Sequence, residues 1–328
     1  MEAFEYASPK TVQDAVRLLG SSWGGTEILA GGTDLISAMK DRVTLPRRVV
    51  SLKNVKGLDH IGFSAHSGLR MGALATIRQL LDDKIARQHY PGLVLAADGI
   101  RGEQMRHMGT LGGELLQRPR DWYFRNGYGL LARHEGKPLI PDGQNYYSAI
   151  LGNSGPAYFV NPSSLAPMLI ALGARVRLHG PGGEREVELG KFYVSPKTEG
   201  EREYVIKPDE ILTEITVPPS RGAKTAAYEI REKEGLDWPL VAAAVALEMD
   251  GNTVKSARVV LGHVAPVPWP SPEAEQALRG KTLSEEVADA AGKAAVSKAT
   301  PLSQNGYKVQ LARVAVKRAL MRAVKGEA

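Results

Sequence analysis

The alternation of apolar and polar positions divides the chain into two regions. In the first 222 residues, short apolar runs typical of strands alternate with segments of helical periodicity. The runs predict strands over residues 27–30, 48–52, 174–178, 186–189, 204–206 and 211–217. The periodic segments predict helices over residues 11–20, 35–40, 75–81, 92–100 and 165–172. This order predicts a first domain of mixed strands and helices.

A second pattern begins after residues 218–222, a segment of Pro, Ser, Arg and Gly that is typical of a linker. Residues 226–230, 241–249 and 254–261 predict antiparallel strands, with a turn at residues 250–252. From residue 271 the chain is alanine-rich and helical. We therefore predict two domains, residues 1–222 and 223–328, with an irregular insert at about residues 117–153 of the first.

The excess of positive charge lies at the end of the chain. There are 42 Lys and Arg against 36 Asp and Glu, and residues 292–328 hold eight of the basic side chains with one acid. Most of these eight share a predicted helix with an apolar stripe that includes Val309, Val316 and Leu320. We interpret them as the solvated face of that helix rather than as a nucleic-acid site, because no aromatic side chain is interleaved to stack bases.

Several kinds of site are excluded by residue type or spacing. The chain has no cysteine, so it holds no disulfide, thiolate nucleophile or thiolate-bound metal cluster. Its seven histidines show no H-x-H or H-E-x-x-H spacing, and we predict no catalytic metal. Neither a P-loop nor a G-x-G-x-x-G segment opening a helix is present.

Two Gly-Gly loops carry the main chemical signal. They span residues 28–35 and 108–115, and each places paired glycines near a threonine, Thr33 or Thr110. Paired glycines allow the backbone to approach a bulky anion, and a threonine hydroxyl donates a hydrogen bond. Together the loops predict a two-sided clamp around a pyrophosphate, although spacing alone is equally typical of plain turns.

Four segments in order resemble one family. They are LAGGTDL in the first loop, QMRHMGTLGGEL at residues 104–115, NPSSLAPMLIAL at 161–172 and PDEILTEITVP at 208–218. They are similar to the flavoprotein (medium) subunits of the molybdenum hydroxylases, which include xanthine dehydrogenase, carbon monoxide dehydrogenase and the aldehyde oxidoreductases. Residues 116–126 (LQRPRDWYFRN) look most like the flavoprotein subunit of bacterial periplasmic aldehyde oxidoreductase.

This resemblance implies an α+β fold. A two-lobed FAD-binding domain of the vanillyl-alcohol-oxidase-like type is followed by a three-stranded antiparallel sheet with a helical bundle. The two Gly-Gly loops would hold the FAD pyrophosphate, the two serines at 163 and 164 would lie near the ribityl–phosphate region, and an aliphatic pair at 211 and 212 would pack on the isoalloxazine. The implied cofactor-binding residues are Ile28, Leu29, Ala30, Gly31, Gly32, Thr33, Asp34, Leu35, Thr110, Gly112, Gly113, Glu114, Ser163, Ser164, Ile211 and Leu212.

The chain departs from the family pattern at four places. Glu114 replaces the usual Asn of the second loop, Ser164 replaces the usual Asp, and Glu229 stands where several members have a flavin-contacting Lys. A carboxylate at 114 weakens FAD binding unless it is protonated or turned away from the phosphate. The insert also lacks the four cysteines that hold a [4Fe–4S] cluster in the matched branch, and Asp121 and residues 152–154 occupy that neighbourhood.

By this resemblance the chain is the FAD-binding electron-transfer subunit of a heteromeric molybdopterin-dependent oxidoreductase. Molybdopterin would be on a large partner subunit and [2Fe–2S] clusters on a small one, with an external electron acceptor and no catalytic acid, base or nucleophile in this chain. One alternative is a structural subunit that has lost FAD. Another is a stand-alone FAD oxidase, for which Tyr193 is the conceivable contact. We expect no nucleic-acid partner, no membrane span and a cytoplasmic location, with co-export to the periplasm on a partner as the alternative.

The cysteine-free insert is expected to be ordered by ordinary packing. Its candidate anchors are Trp122, Tyr123, Phe124, Tyr128, Leu130, Leu131, Tyr146 and Tyr147. Arg118, Arg120 and Arg125 would lie along its rim and pair with carboxylates of this chain or of a partner.

Overall fold

The first lobe is a small parallel sheet with helices in its crossovers. A computed structural model describes residues 1–326 of the chain. Its first elements in chain order are β1 (Glu5–Ala7), α1 (Val12–Leu18), β2 (Thr26–Leu29), α2 (Leu35–Lys40) and β3 (Arg48–Ser51). The three strands run parallel in the order β1-β3-β2. Helix α1 begins at its N-cap Thr11, whose side chain accepts from the Asp14 amide, and it buries Ala15 and Val16.

A five-stranded antiparallel sheet forms the second lobe. The elements that follow are β4 (Ile61–Ser64), β5 (Gly68–Gly72), α3 (Ile77–Asp82), α4 (Lys84–His89), α5 (Pro91–Gly99), α6 (Glu103–Met108), α7 (Leu111–Leu115), α8 (Trp122–Arg125), β6 (Arg133–His134), β7 (Lys137–Pro138), α9 (Ala166–Ala171), β8 (Arg175–Gly180), β9 (Gly183–Glu188) and β10 (Ile211–Val217). The sheet has the order β4-β5-β10-β8-β9. A single 3-10 turn at Leu189–Lys191 follows β9.

The strand predicted over residues 204–206 is wrong. Only Tyr204 makes a strand-like contact there, an isolated bridge to Tyr193. The segment is three residues long, and the partner strand that would extend the ladder is absent from residues 1–326. The hairpin of β4 and β5 and the helices α4, α6 and α7 were not predicted, because their apolar runs are too short to give a periodic signal.

The C-terminal part is a sheet covered by helices on both faces. Its strands are β11 (Lys224–Ile230), β12 (Val241–Asp250), β13 (Thr253–Gly262) and the two-residue β14 (Trp269–Pro270), followed by α10 (Pro272–Leu278), α11 (Glu285–Ala295) and α12 (Tyr307–Lys325). The three predicted antiparallel strands are present, and β14 adds a short edge. One face of the sheet packs on α10 and α12, which α11 covers in turn, and the other face packs on α5 and α9. Among residues 1–326 no helix has the length and apolar content to cross a bilayer.

The insert is ordered, but by fewer of its aromatic residues than the sequence predicts. Phe124, Leu130 and Leu131 are buried together with Ala157 and Phe159. The carboxylate of Glu199 accepts hydrogen bonds from the Leu130 and Leu131 amides at 2.6 and 2.9 Å. In contrast, four of the predicted anchors are exposed: Trp122, Tyr128, Tyr146 and Tyr147. These four rings flank an open cleft instead of a core, so the aliphatic and phenylalanine side chains supply the packing.

Candidate cofactor site

The two Gly-Gly loops lie against each other. The first loop follows β2 and the second runs from the end of α6 into α7. A Cβ added at Gly31 would overlap the carbonyl oxygen of Met108, so the loops approach this closely only with glycine at position 31. Gly32 has φ +84°, a left-handed conformation that favours glycine. These two glycines therefore shape the loop whether or not a ligand binds.

A cleft of about 850 Å³ opens beside the loops. Most of the residues implied by the resemblance line it: Ile28, Ala30, Gly31, Gly32, Thr33, Asp34, Leu35, Thr110, Gly112, Gly113, Ile211 and Leu212. Glu114 and Ser164 line a smaller cavity of about 180 Å³, which shares Thr33, Thr110 and Gly113 with the larger cleft. Leu29 and Ser163 line neither. The structure thus brings together twelve of the sixteen residues in the larger cleft and two more in its neighbour.

The two loops differ in the backbone donors that they leave free. Within residues 1–326, the amides of Gly32, Thr33 and Asp34 have no protein acceptor. The second loop uses its own amides: Gly112 donates to the Ala73 carbonyl at 2.9 Å and Gly113 to the Thr110 hydroxyl oxygen at 3.1 Å. Unsatisfied amides are costly unless water or a ligand accepts from them. The first loop is therefore the one prepared to bind an anion through its backbone.

Gly112 and Gly113 have different roles in the second loop. A Cβ at Gly112 would come within 2.8 Å of the Ala73 Cβ, so that glycine is required for α7 to pack on the end of β5. A Cβ at Gly113 would meet only the Thr110 hydroxyl, at 2.9 Å, and Gly113 lines both cavities. The absence of a side chain at 113 leaves a bare surface at the cleft, as close approach by a phosphate requires.

Asp34 connects the first loop to the insert. Its carboxylate accepts from the Arg118 amide at 2.7 Å and from the Arg125 guanidinium at 2.8 Å, and it pairs with Arg120 at 3.0 Å. Arg118 in turn pairs with Glu203 at 2.9 Å. The prediction that these arginines pair with carboxylates of the chain is confirmed, but their side chains are only 16–21% exposed rather than on a rim. The sequence offered no signal for Asp34 as their partner.

Glu114 is turned towards the segment before α9. Its carboxylate accepts from the Ser163 hydroxyl at 2.7 Å, the Ser164 amide at 2.6 Å and the Leu165 amide at 3.3 Å. Burial raises the pKa of Glu114 to about 7, although these hydrogen bonds oppose the shift. Of the two serines predicted near the ribityl–phosphate region, Ser163 gives its hydroxyl to Glu114, whereas Ser164 gives its backbone amide and lines the smaller cavity.

Glu229 is also engaged within the chain. It forms an ion pair with Arg231, and burial raises the pKa of its carboxyl group. Its Oε1 atom has no hydrogen-bond partner among the described residues. The carboxylate packs directly against Gly99, which lines the smaller cavity.

Tyr193 holds the backbone rather than presenting an acid or base. Its hydroxyl donates to the Leu115 carbonyl at 3.0 Å, and Tyr204 donates to the Leu116 carbonyl at 3.1 Å. Both bonds satisfy carbonyls at the end of α7 and so fix the second loop. Within residues 1–326 no group of His, Asp and Glu is arranged to hold a metal ion.

Comparison with known families covers nearly the whole chain. Residues 2–220 match the FAD binding domain in molybdopterin dehydrogenase, and residues 226–323 match the CO dehydrogenase flavoprotein C-terminal domain. Among solved structures, carbon monoxide dehydrogenase from Hydrogenophaga pseudoflava aligns with a TM-score of 0.78 at 27% identity, over 99% of this chain and 98% of that chain. The predicted α+β fold is therefore confirmed.

Two curated relatives are similar over almost their full length. The carbon monoxide dehydrogenase medium chain of Hydrogenophaga pseudoflava is 29% identical, over 97% of this chain and 96% of the relative. The aldehyde oxidoreductase FAD-binding subunit of Escherichia coli is 30% identical, over 95% of this chain and 96% of the relative. With its glycine loops facing one cleft and both domain families matched, the chain belongs to the FAD-binding medium subunits of the molybdenum hydroxylase family.

Proposed function

We propose that this chain binds FAD in the cleft beside the glycine loops. Gly113 carries the proposal, because it leaves a bare backbone surface that a phosphate can approach, and the one atom that a Cβ there would crowd is the Thr110 hydroxyl oxygen. The unbonded amides of Gly32, Thr33 and Asp34 supply donors on the facing side. Ile211 and Leu212, at the start of β10, supply an apolar surface for the flavin ring.

More carboxylates than guanidinium groups line the cleft, but these carboxylates are engaged within the chain. Glu199 accepts from the Leu130 and Leu131 amides, Glu201 accepts from the Lys197 amide, and Glu210 pairs with Arg185. Arg118 and Arg202 line the cleft, and their carboxylate partners Glu203 and Glu27 are held in ion pairs of 2.9 and 3.2 Å. Asp34 is neutralised by two guanidinium groups. The Glu114 carboxylate is bonded to the segment before α9, so it is turned away from the loop surface. The departure from the usual Asn at 114 is therefore compatible with a pyrophosphate.

The proposed activity is that of an oxidoreductase subunit. When bound, FAD supplies the capacity to accept and release electrons, and this chain binds, orients and shields it. As the family resemblance implies, a large molybdopterin-binding subunit and a small [2Fe–2S] subunit would complete a heteromeric enzyme, in the cytoplasm or, after co-export with a partner, in the periplasm. Residues 1–222 would form the FAD-binding domain and residues 223–328 the C-terminal domain. No acid, base or nucleophile of this chain is assigned to the substrate chemistry.

A structural subunit without FAD is the second candidate. The observation that favours it is the hydrogen bond from the Ser163 hydroxyl to Glu114, which engages one of the expected cofactor contacts within the chain. The glycines at 31, 32 and 112 do not discriminate, because packing or backbone conformation requires them in either case.

A titration of the purified chain with FAD separates the two candidates. We expect saturable binding at one FAD per chain, with quenched flavin fluorescence and a flavin absorption spectrum that persists after gel filtration. If the folded chain purifies without colour and takes up no FAD, alone or in the reconstituted complex, the structural subunit is the better description.

A further inference from the structure

A second and larger cleft lies between the insert and the C-terminal sheet. Its volume is about 1100 Å³, and it has no lining residue in common with the 850 Å³ cofactor cleft. No step of the proposed function uses it. The cleft, called here the aromatic cleft, is lined by side chains of the insert and of the loop between β11 and β12 that leave their rings partly or fully exposed: Trp122, Tyr123, Tyr128, Tyr146, Tyr147 and Trp238.

The rings of the aromatic cleft offer electron-rich faces. Trp122 is 65% exposed, and no other ring or guanidinium within residues 1–326 packs on it. The guanidinium of Arg120 lies 4.6 Å from the Trp238 ring centroid, so a cation of the chain itself already occupies one of these rings. Tyr146 and Tyr147 meet edge to face with centroids 4.9 Å apart, which holds both rings in place. Such faces attract a cation through the quadrupole of the ring.

Three carboxylates of the lining have no cationic partner. They are Asp121, Glu232 and Asp237. Each accepts a hydrogen bond from a neutral donor, an amide or a hydroxyl, at 3.1 to 3.3 Å. Within residues 1–326 no Lys, Arg or His forms an ion pair with any of the three. Burial raises the pKa of Asp121, and a partly buried carboxylate without a counter-ion favours a cation nearby.

The basic side chains of the lining do not offset these carboxylates. Arg120 is paired with Asp34 at 3.0 Å. Lys308 is 1% exposed, and its Nζ donates to three backbone carbonyls at 2.8 to 3.2 Å. Burial lowers the pKa of Lys308 to about 7 and that of His263 to about 3, so both side chains are largely uncharged at about pH 8. The aromatic cleft is therefore negative overall.

The combination of rings and carboxylates selects the kind of cation. Within the part of the chain that the structure describes, no group of His, Asp and Glu is arranged to hold a metal ion. An ammonium that carries apolar groups suits the lining better, because its charge is attracted by the carboxylates and the ring faces, and its apolar groups gain free energy when they leave water. An anion would meet the uncompensated carboxylates and be repelled.

We propose that the aromatic cleft is a second ligand-binding site, for an organic cation: an ammonium that carries alkyl or aromatic groups. The apolar groups pack on Trp122 and on the tyrosines of the insert, and the ammonium lies in the negative potential of Glu232 and Asp237. The proposal does not depend on FAD, because the aromatic cleft shares no lining residue with the cofactor cleft.

Isothermal titration of the full chain at pH 8, without FAD, tests the site with three molecules of similar shape. The probe is trimethyl(2-naphthylmethyl)ammonium, and 2-naphthylmethanol and 2-naphthoate are its neutral and anionic counterparts. We expect saturable binding of one cation per chain, weaker binding of the alcohol and the weakest binding of the carboxylate. Binding of the cation should also weaken as the ionic strength rises. No saturable binding of the cation, or equal binding of the alcohol or the carboxylate, would overturn the proposal.

Variants of the rings and of the carboxylates localise the binding. Trp122→Leu keeps an apolar side chain but removes the ring, and we expect it to weaken binding of the cation by about twofold to fivefold. The pair Glu232→Gln and Asp237→Asn keeps hydrogen-bond acceptors but removes both charges, and we expect a loss of about tenfold or more. Circular dichroism checks that each variant is folded.

Two matched controls accompany these variants. Glu234→Gln makes the same change of charge in the same loop, at an exposed residue that does not line the aromatic cleft. Tyr6→Leu removes a ring that is 57% exposed and lies outside the cleft. Both should bind the cation like the natural chain. An equal loss in the controls, or full binding by the folded Glu232→Gln and Asp237→Asn double variant, would contradict the assignment.

Discussion

The hydroxyl of Ser163 donates a 2.7 Å hydrogen bond to the carboxylate of Glu114, 49 residues earlier in the chain. This bond ties the second glycine loop to the segment that begins α9. Because the carboxylate is buried there, the pKa of Glu114 is raised to about 7. This shift can be measured on the protein without any cofactor.

The stability of the chain should fall with rising pH because of Glu114. Below about pH 4.5 its carboxyl is protonated in both the folded and the unfolded state; between 4.5 and about 7 only the unfolded state loses the proton. The folded state is therefore disfavoured as pH rises, by up to roughly 3 kcal/mol at pH 7 and above. Urea unfolding at pH 5 and pH 8 should show a smaller difference for Glu114→Gln than for the natural chain. Identical pH dependence in both proteins would mean that the buried carboxyl does not titrate in this way.

Gly113→Val should weaken FAD binding while the fold is kept. Valine costs a helix no more than glycine does, and the one contact that its Cβ forces to shift is with the Thr110 hydroxyl, the N-cap of α7, at 2.9 Å. The rest of the side chain occupies the bare surface at the cleft. We expect FAD affinity to fall by about tenfold or more, a change of at least 1.4 kcal/mol. Flavin content after gel filtration and circular dichroism are the measurements. Gly62→Val in β4 is the control, because a Cβ at Gly62 meets no atom within 4 Å. Full flavin content in Gly113→Val would show that the loop is misassigned.

Asp34→Asn should loosen the insert and weaken FAD binding together. Asparagine still accepts from the Arg118 amide, but it leaves Arg120 and Arg125 without their charge partner. We expect a loss of about 2–3 kcal/mol in the free energy of unfolding and faster hydrogen exchange in residues 118–126. Asp41→Asn, at the exposed end of the same helix α2, provides the comparison and should behave like the natural chain. If the amides of residues 118–126 exchange equally slowly in both variants, Asp34 does not anchor the insert.

The isolated chain should contain no stoichiometric iron. It has no cysteine to hold a cluster, and its insert is packed around Phe124, Leu130 and Leu131. Metal analysis of anaerobically purified protein is the measurement, with proteolysis of the insert as a check on its order. Four irons per chain, or rapid cleavage within residues 117–153 of the assembled complex, would contradict this account.

Elements with strong local signals could be predicted from sequence to within one or two residues. The helix over residues 35–40 and the strand over 211–217 have the predicted bounds, and Thr76 caps α3 with a capping box to Gln79. These succeed because capping, periodicity and turn residues act over a few positions. The strand predicted over 204–206 failed, since a ladder depends on a partner that is distant in sequence.

For the cofactor cleft as well, the sequence determined some features and the tertiary structure determined others. The sequence by itself determined where the backbone is bare, at the paired glycines, and that no thiolate cluster forms in a chain without cysteine. Only the tertiary structure decided that Asp34 neutralises the arginines of the insert 84 to 91 residues away, and that Glu114 faces the serines rather than the cleft. It also decided that the aromatic residues of the insert line a cleft instead of a core. Residue type fixes which interactions a side chain can make, whereas its partner depends on which distant segments the fold brings within about 3 Å.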